Sequence, residues 1–270
     1  MKHVPFKTFY KYFMKISVII TTFNAVKYLS KAVESFLAQD YEQKELVIID
    51  DISTDGTHKI IADYQSRFPH FIKWIKEKDL GISHARNIAL KYASGDVVGF
   101  LGADDFFHKN FFNEMAYYVE ANSSFDVLYF NSYSVGLFNT FDASATIRVT
   151  KRNLIKHCPI GSGESFYYRR QIFDSFKFNE RNRYCMDYEL NMALASAKKL
   201  FYPINISAVF NVHTGENISS ANALKQRLET IAVQLKYAKK PLERFQIFWR
   251  AKKLIMKNWV QFSKISSNLG

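Results

Sequence analysis

Two adjacent carboxylate pairs, Asp50-Asp51 and Asp104-Asp105, each follow directly on an apolar run. Residues 45–49, ELVII, and 97–101, VVGFL, have the short apolar composition of buried strands. In an open α/β sheet, ligands bind outside the carboxyl ends of the strands. Paired carboxylates at such an end suit a hard divalent cation, which takes oxygen ligands and shares them with substrate phosphates. The competing reading of Asp104-Asp105 is a polar turn capping the helix that begins near Asn110.

The elements that must position these groups alternate regularly. Residues 16–21, ISVIIT, read as a strand, followed by the polar turn Thr22-Phe23-Asn24. Residues 26–39 repeat Val26, Leu29, Val33, Phe36 and Leu37 at helical spacing. After strand 45–49, the turn Ser53 to Thr57 offers an N-cap for a helix through Phe68. A strand at 71–75, a helix from Gly81-Ile82-Ser83 to about Tyr92, and strand 97–101 complete a β-α-β-α-β-α-β series. Short loops in that order imply a mainly parallel sheet with right-handed crossovers. The motif loops then share one sheet edge. Further on, the pattern predicts a helix at 110–121, strands at 125–135 and 165–168, a helix at 185–198 and a strand at 206–212. The stretch from Gly136 to Pro159 is irregular.

Composition narrows the function classes. Hydrophobic residues make up 48% of the 270, a globular value. Cys158 and Cys185 lie far apart with no metal-type spacing, which fits a reducing compartment or two ordinary buried thiols. No apolar run reaches 18 residues, so no transmembrane helix is expected. The basic, aromatic start lacks the apolar core of a signal peptide, and Met14 directly precedes the first strand, so residues 1–13 are expected to be dispensable.

The net charge of +12 is concentrated at the ends. Residues 225–265 hold eleven Lys and Arg against Glu229 and Glu243, and residues 1–15 hold four Lys and no acid. A nucleic-acid enzyme carries its positive charge around its cleft, so no nucleic-acid partner is expected. Basic aromatic ends point instead to an anionic membrane surface, with plain packing against the body of the protein as the alternative. After the break at Pro241, Phe245, Phe248, Trp249, Ile255, Met256, Trp259 and Phe262 fall within roughly 140° at about 100° per residue.

The succession SVIITTFN (17–24), ELVIIDDISTDGT (45–57), GISHARN (81–87) and SGDVVGFLGADD (94–105) resembles the nucleotide-sugar-binding half of glycosyltransferase family 2. FKFNERNRYCMDYELNM (176–192) and VFNVHTGENISS (209–220) are similar to the acceptor half of polysaccharide-building members. The resemblance implies a GT-A fold, a mainly parallel Rossmann-like α/β sheet flanked by helices. The donor half would span 15–107 and the acceptor half 108–220, between a basic extension at 1–14 and a basic helical extension at 221–270. It implies metal-dependent, inverting transfer from a nucleotide-diphosphate sugar, such as a UDP-sugar, to a growing, lipid-linked glycan. The expected location is cytoplasmic, peripheral on the inner face of the membrane.

Site residues follow from the same resemblance. Thr21 and Asn24 would lie at the donor, and Asp51 would accept from the base. Asp50, the other member of its pair, is expected to be structural by strand alternation, and Thr54 and Asp55 to shape their loop. Arg86 and Asn87 would serve the donor from the first turns of a helix whose N-terminus can face the diphosphate, with Gly81 allowing close backbone approach. Asp104 and Asp105 would divide the ribose and metal contacts, with Mn²⁺ or Mg²⁺ as cofactor. His213 would meet the diphosphate or metal. Asp187 matches the position of the general base, at a helix start where the dipole favours an ionised carboxylate. Glu189 is the fallback, although it points about 200° around the helix. Glu164 is a candidate acceptor contact.

The sequence departs from the commoner family pattern at Gly102, where an Asp usually stands, which leaves Asp104-Asp105 to carry the motif. That departure keeps a catalytically silent binding subunit open as a second reading. A nucleotidyltransferase would carry a Gly-rich basic loop after strand one, and Thr21 to Lys27 has none.

Overall fold

The computed structural model describes residues 14–121, 124–136, 139–156, 163–213 and 222–267. The expectations for residues 1–13, Cys158 and the turn after His213 lie outside them. The first half alternates as the periodicity predicts. It runs β1 (Ile16–Thr22), α1 (Leu29–Leu37), β2 (Lys44–Asp50), α2 (Thr57–Arg67), β3 (Ile72–Lys76), α3 (Ile82–Ala89) and β4 (Val97–Gly102). These strands lie in the order β3-β2-β1-β4, all parallel.

The second half contributes β5 (Phe106–Phe107), α4 (Phe111–Ala121), β6 (Val127–Gly136), β7 (Thr140–Asp142) and α5 (Lys151–Lys156). β8 (Phe166–Arg169), α6 (Met186–Ser196), β9 (Phe201–His213), α7 (Ala223–Tyr237) and α8 (Pro241–Ser267) follow. Here the sheet departs from the expected parallel pattern. β8 runs antiparallel to both β4 and β6, β9 is parallel to β6, and β5 is antiparallel to β9. β9 also begins at Phe201, before the predicted start. Its Pro203 is tolerated because β5 pairs only with the Val209–Phe210 end, which leaves one side of β9 unpaired by β5 at the proline. A register shift between β6 and β9 near Asn131 bends the pair and carries the end of β9 toward the loop after β4.

Both faces of the sheet are covered, which explains the unbroken apolar strands. Val18, Ile20, Leu46 and Ile48 pack with Leu29, Val33, Ile61, Phe111 and Phe112 from α1, α2 and α4. Ile19, Val47 and Ile49 pack with Ala85, Ile88, Leu190, Val233 and Ile247 from α3, α6, α7 and α8. Gly99, in the middle of β4, is required because Tyr167 of β8 crosses directly over it: a Cβ there would lie 2.3 Å from the ring.

α8 does not pack through the predicted apolar stripe. Ile247 is fully buried and Arg250 donates to the carbonyls of Ile155 and Lys156 at the end of α5, whereas Phe245, Phe248, Trp249, Ile255 and Met256 are exposed. The side chains of Trp259 and Phe262 lie outside the description.

At the sheet edge away from the motif loops, buried Glu45 ties three segments together. It accepts from Ser17 Oγ and the Ser94 amide, both at 2.6 Å, and from Lys15 and Lys73, both at 2.9 Å. Burial alone would raise its carboxyl, but these hydrogen bonds outweigh burial and hold it at about 2, against an ordinary 4.5. A depressed acid stabilises the fold above its unfolded value and loses that contribution as pH falls through 4.5 toward 2. Glu45→Gln is therefore expected to cost about 1–2 kcal/mol at neutral pH, after allowing for solvent screening of the two lysines. The gap between wild type and variant should narrow steadily below pH 4.5 in urea titrations. A gap that stays constant with pH would remove Glu45 from the account.

Candidate active site

Parallel register brings three strand ends to one height. Thr21 of β1 lies beside Ile49 of β2 and Gly102 of β4, and Thr22 lies beside Asp50. Asp50 is fully buried and accepts from the amide and hydroxyl of Ser53, which pins the following loop with Ile52 in a left-handed conformation at φ 52°. Asp51, next along, turns toward the cleft and accepts from the Asp79 amide at 2.9 Å.

Asp79 is a cleft residue that the sequence reading missed. Its carboxylate accepts from the Gly81 amide at 2.6 Å. Burial, and then the Asp51 charge, raise its carboxyl above the ordinary value against that hydrogen bond. The available signal was an Asp two residues before the glycine that opens a helix. Gly81 itself has φ 119° with open space around the position of a Cβ, so glycine is needed there for backbone conformation and not for close approach.

Asn24 lines the cleft, but its side-chain carbonyl accepts from the Thr54 amide at 2.9 Å, and its own amide donates to Ser53 Oγ. It braces the β1 loop against the β2 loop. Asp55 shapes the same junction through Thr57 and Val26.

Asp104 and Asp105 separate in role. Asp104 is half-buried in the cleft. Asp105 is 7% exposed and is held by the end of β9, accepting from Asn211 Nδ2 at 3.0 Å and the Val212 amide at 2.8 Å. Burial first, then the charges of Glu164 and Asp104, push its carboxyl well above the ordinary range. Asp105, expected at the metal, thus also fixes the end of β9 through these two bonds. His213 lines the same cleft at the end of β9.

Among the described residues, no group of three or more His, Cys, Asp or Glu side chains is arranged to hold a metal ion. The donor chemistry still fits a hard cation that draws further ligands from a bound diphosphate. Asp104, Asp105 and Glu164 repel one another there, and buried Asn211 Oδ1 has no hydrogen-bond partner.

Across the cleft, α3 and α6 meet. Arg86 is only 6% exposed, its guanidinium lying 4.6 Å from the centre of the Phe100 ring and 5.3 Å from that of Phe178. It donates to Asp187 Oδ1 and lies 3.9 Å from Glu164. Asp187 makes no cap: Cys185 occupies the N-cap of α6, and Asp187 sits in the first turn, lining the cleft. A Cβ at Gly163 would come within 2.6 Å of the Asp187 carboxylate, so glycine there leaves it room.

One expectation fails in this region. Asn87 does not line the cleft; its amide spans α3 and the 178–180 segment, bonding Phe178 backbone at 2.9 and 3.0 Å and Glu180 at 2.9 Å. Two residues beyond Asp187, Glu189 points away, to Asn179, Asn182 and Lys236. Burial opposes ionisation of Glu189, but the bonds from Lys236, Asn182 and Asn179 outweigh it and hold its carboxyl below the ordinary value. It is a structural carboxylate.

Together these elements enclose a cleft of about 820 Å³ that holds Thr21, Asp51, Asp79, Arg86, Asp104, Glu164, Asp187 and His213 in one space. That volume is in the range of small-molecule sites. Residues 17–176 match the family described as glycosyl transferase family 2. The chain belongs to glycosyltransferase family 2.

Relatives match most of the chain. The minor teichoic acid biosynthesis protein GgaB of Bacillus subtilis is 28% identical over 76% of this chain. The glycosyltransferase GlyA of Streptococcus pneumoniae is 27% identical over 86%. The chain spans only 23% and 30% of those two proteins. Among solved structures, Staphylococcus aureus TarS 1-349 in complex with UDP-GlcNAc superposes with a TM-score of 0.67 at 23% identity, covering 87% of this chain and 70% of that one. The mannosyltransferase PcManGT from Pyrobaculum calidifontis, with GDP-Man and Mn²⁺, gives 0.64 at 18%, covering 90% and 70%. At those identities the structures establish the fold, GT-A, for this chain.

Proposed function

We propose that this chain transfers a sugar, with inversion, from a nucleoside-diphosphate sugar to a hydroxyl of a glycan acceptor. The observation that carries the reading is that Thr21, Asp51 and Asp104, at three aligned strand ends, share one cleft with Asp187. The UDP-GlcNAc complex of TarS supports a UDP-sugar as donor, and the teichoic acid role in the name of GgaB supports a surface-polymer acceptor.

Thr21 and Asp51 hold the base and ribose end, with Asp79 fixing the position of Asp51. Asp104 would hold a divalent cation, Mn²⁺ or Mg²⁺, which when bound neutralises charge growing on the departing diphosphate. His213 closes the cleft from the end of β9. Asp187 accepts the proton of the acceptor hydroxyl as its oxygen bonds to the anomeric carbon. The bond from that carbon to the diphosphate oxygen breaks, and its electron pair leaves with the nucleoside diphosphate. Arg86 orients the Asp187 carboxylate throughout.

The test is turnover of a panel of UDP- and GDP-sugars with Mn²⁺ or Mg²⁺, read as nucleotide release and thermal shift. Release from at least one donor is expected. If no donor is turned over and none raises the melting temperature, the proposal fails.

Among the described residues, no helix is long and apolar enough to cross a membrane. The exposed Phe248, Trp249, Ile255 and Met256 of α8, with Lys252 and Lys253 beside them, support docking on an anionic lipid surface. Co-sedimentation with phosphatidylglycerol vesicles but not with neutral ones is the expected result, and equal behaviour with both would remove this part of the reading.

A further inference from the structure

Asp187 borders a second cavity, of about 440 Å³, between α6, α7 and α8. The two cavities share Gly163, Tyr184, Asp187 and Gln226, and only the first reaches Asp51 and Asp104. An inverting displacement needs the acceptor opposite the leaving group. The second cavity borders Asp187 without bordering Asp104, where the diphosphate is placed.

The charges around this channel are unbalanced. Arg227 of α7 and Arg250 of α8 line it. The nearby carboxylates are engaged elsewhere. Glu229 accepts from the Arg183 and Tyr184 amides at 3.2 and 2.8 Å, Glu189 is held by Lys236, and Asp187 by Arg86. Among the described residues, no carboxylate forms an ion pair with Arg227 or Arg250. The hydrogen bonds from Arg250 to the Ile155 and Lys156 carbonyls fix its guanidinium without neutralising it. Gln226, Thr230 and Gln234 line the same walls; Gln226 Nε2 donates to the Tyr184 carbonyl at 3.1 Å and Thr230 Oγ1 to the Gln226 carbonyl at 2.8 Å.

We infer that this second cavity is an acceptor channel that selects an anionic glycan or polyol chain, one carrying phosphate or carboxylate close to the hydroxyl that is glycosylated. Guanidinium groups bind both anions in bidentate fashion. The inference rests on the sugar-transfer reading above and adds the charge of the acceptor to it.

The test uses the full chain, with and without UDP, and three probes of equal length: a polyol-phosphate oligomer, a uronic-acid oligosaccharide and a neutral oligosaccharide. One anionic probe is expected to bind at least about tenfold more tightly than the neutral one, with the advantage shrinking as salt rises. Which of the two anionic probes binds distinguishes phosphate from carboxylate. Arg227→Gln, at an exposed position, should remove most of the advantage while leaving UDP affinity and melting temperature unchanged. Equal binding of the neutral probe, no binding of either anionic probe, or indifference to Arg227→Gln overturns the inference. Failure of the wild type to bind UDP counts against the sugar-transfer reading instead.

Discussion

Asp187→Asn is expected to lower sugar transfer by about a thousandfold while UDP affinity stays within about threefold of wild type. The amide keeps the shape of the side chain and its place beside Gly163, but it cannot take the acceptor proton. A second consequence is separable. Arg86 is 6% exposed between two aromatic rings, and Asp187 is the partner to which it donates. Removing that charge leaves a buried guanidinium with, among the described residues, only Glu164, at 3.9 Å, to offset it. The cost should be about 2–3 kcal/mol, below the full value for a buried pair because the Asp187 side chain is 19% exposed. Steady-state kinetics and urea unfolding of the same variant measure the two effects independently. Transfer within tenfold of wild type would end the assignment of Asp187 as base.

Restoring the acid that the commoner family pattern carries should harm this protein. A Cβ at Gly102 would lie 2.6 Å from Asp105 Oδ2 and 2.9 Å from Asp104 Oδ1. Asp105, the nearer of the two, is pinned by Asn211 and Val212. Gly102→Asp would also add a charge to a cluster in which burial and like charges already raise the Asp105 carboxyl well above its ordinary range. The expected result is a loss of about 2–3 kcal/mol from overpacking and repulsion and at least a tenfold loss of activity, with part of the stability returning when Mn²⁺ is added. A gain in activity would mean that the loop re-forms around the new acid, and that the observed Asp105 contacts do not govern the site.

Gly102 illustrates how sequence and tertiary structure divide the information. By pattern alone it marks a missing ligand. In the fold, it is the position over which two carboxylates converge, one of them anchored by a strand more than 100 residues away.

The donor half was legible because its signals are local. Apolar runs of strand length, helical repeats between them and turn residues at their ends force a parallel series. Parallel register then carries Thr21, Asp50-Asp51 and Asp104-Asp105 to one edge. Strand alternation even separates Asp50, buried under the loop, from Asp51, which faces the cleft.

The acceptor half was less legible because its contacts are long-range. Nothing near Asn87 in sequence indicates that Phe178 and Glu180 will take its amide, and nothing near Glu189 announces Lys236. The antiparallel pairing of β8 with β4 joins Val97 to Arg169 across the whole middle of the chain. The apolar spacing on α8 is local, but which face of the helix is buried depends on its neighbours: Ile247 is buried, and Arg250 reaches the carbonyls at the end of α5.

The sequence by itself determined the strand-end carboxylates, the parallel half of the sheet and the resemblance that singled out Asp187. Only the tertiary structure decided that Arg86 pairs with Asp187, that Asp105 serves β9, and that α7 and α8 wall a second cavity beside the site. The physical reason is range: backbone periodicity and turn chemistry act over a few residues, whereas these contacts close loops of roughly a hundred, whose partners are set by packing and buried charge.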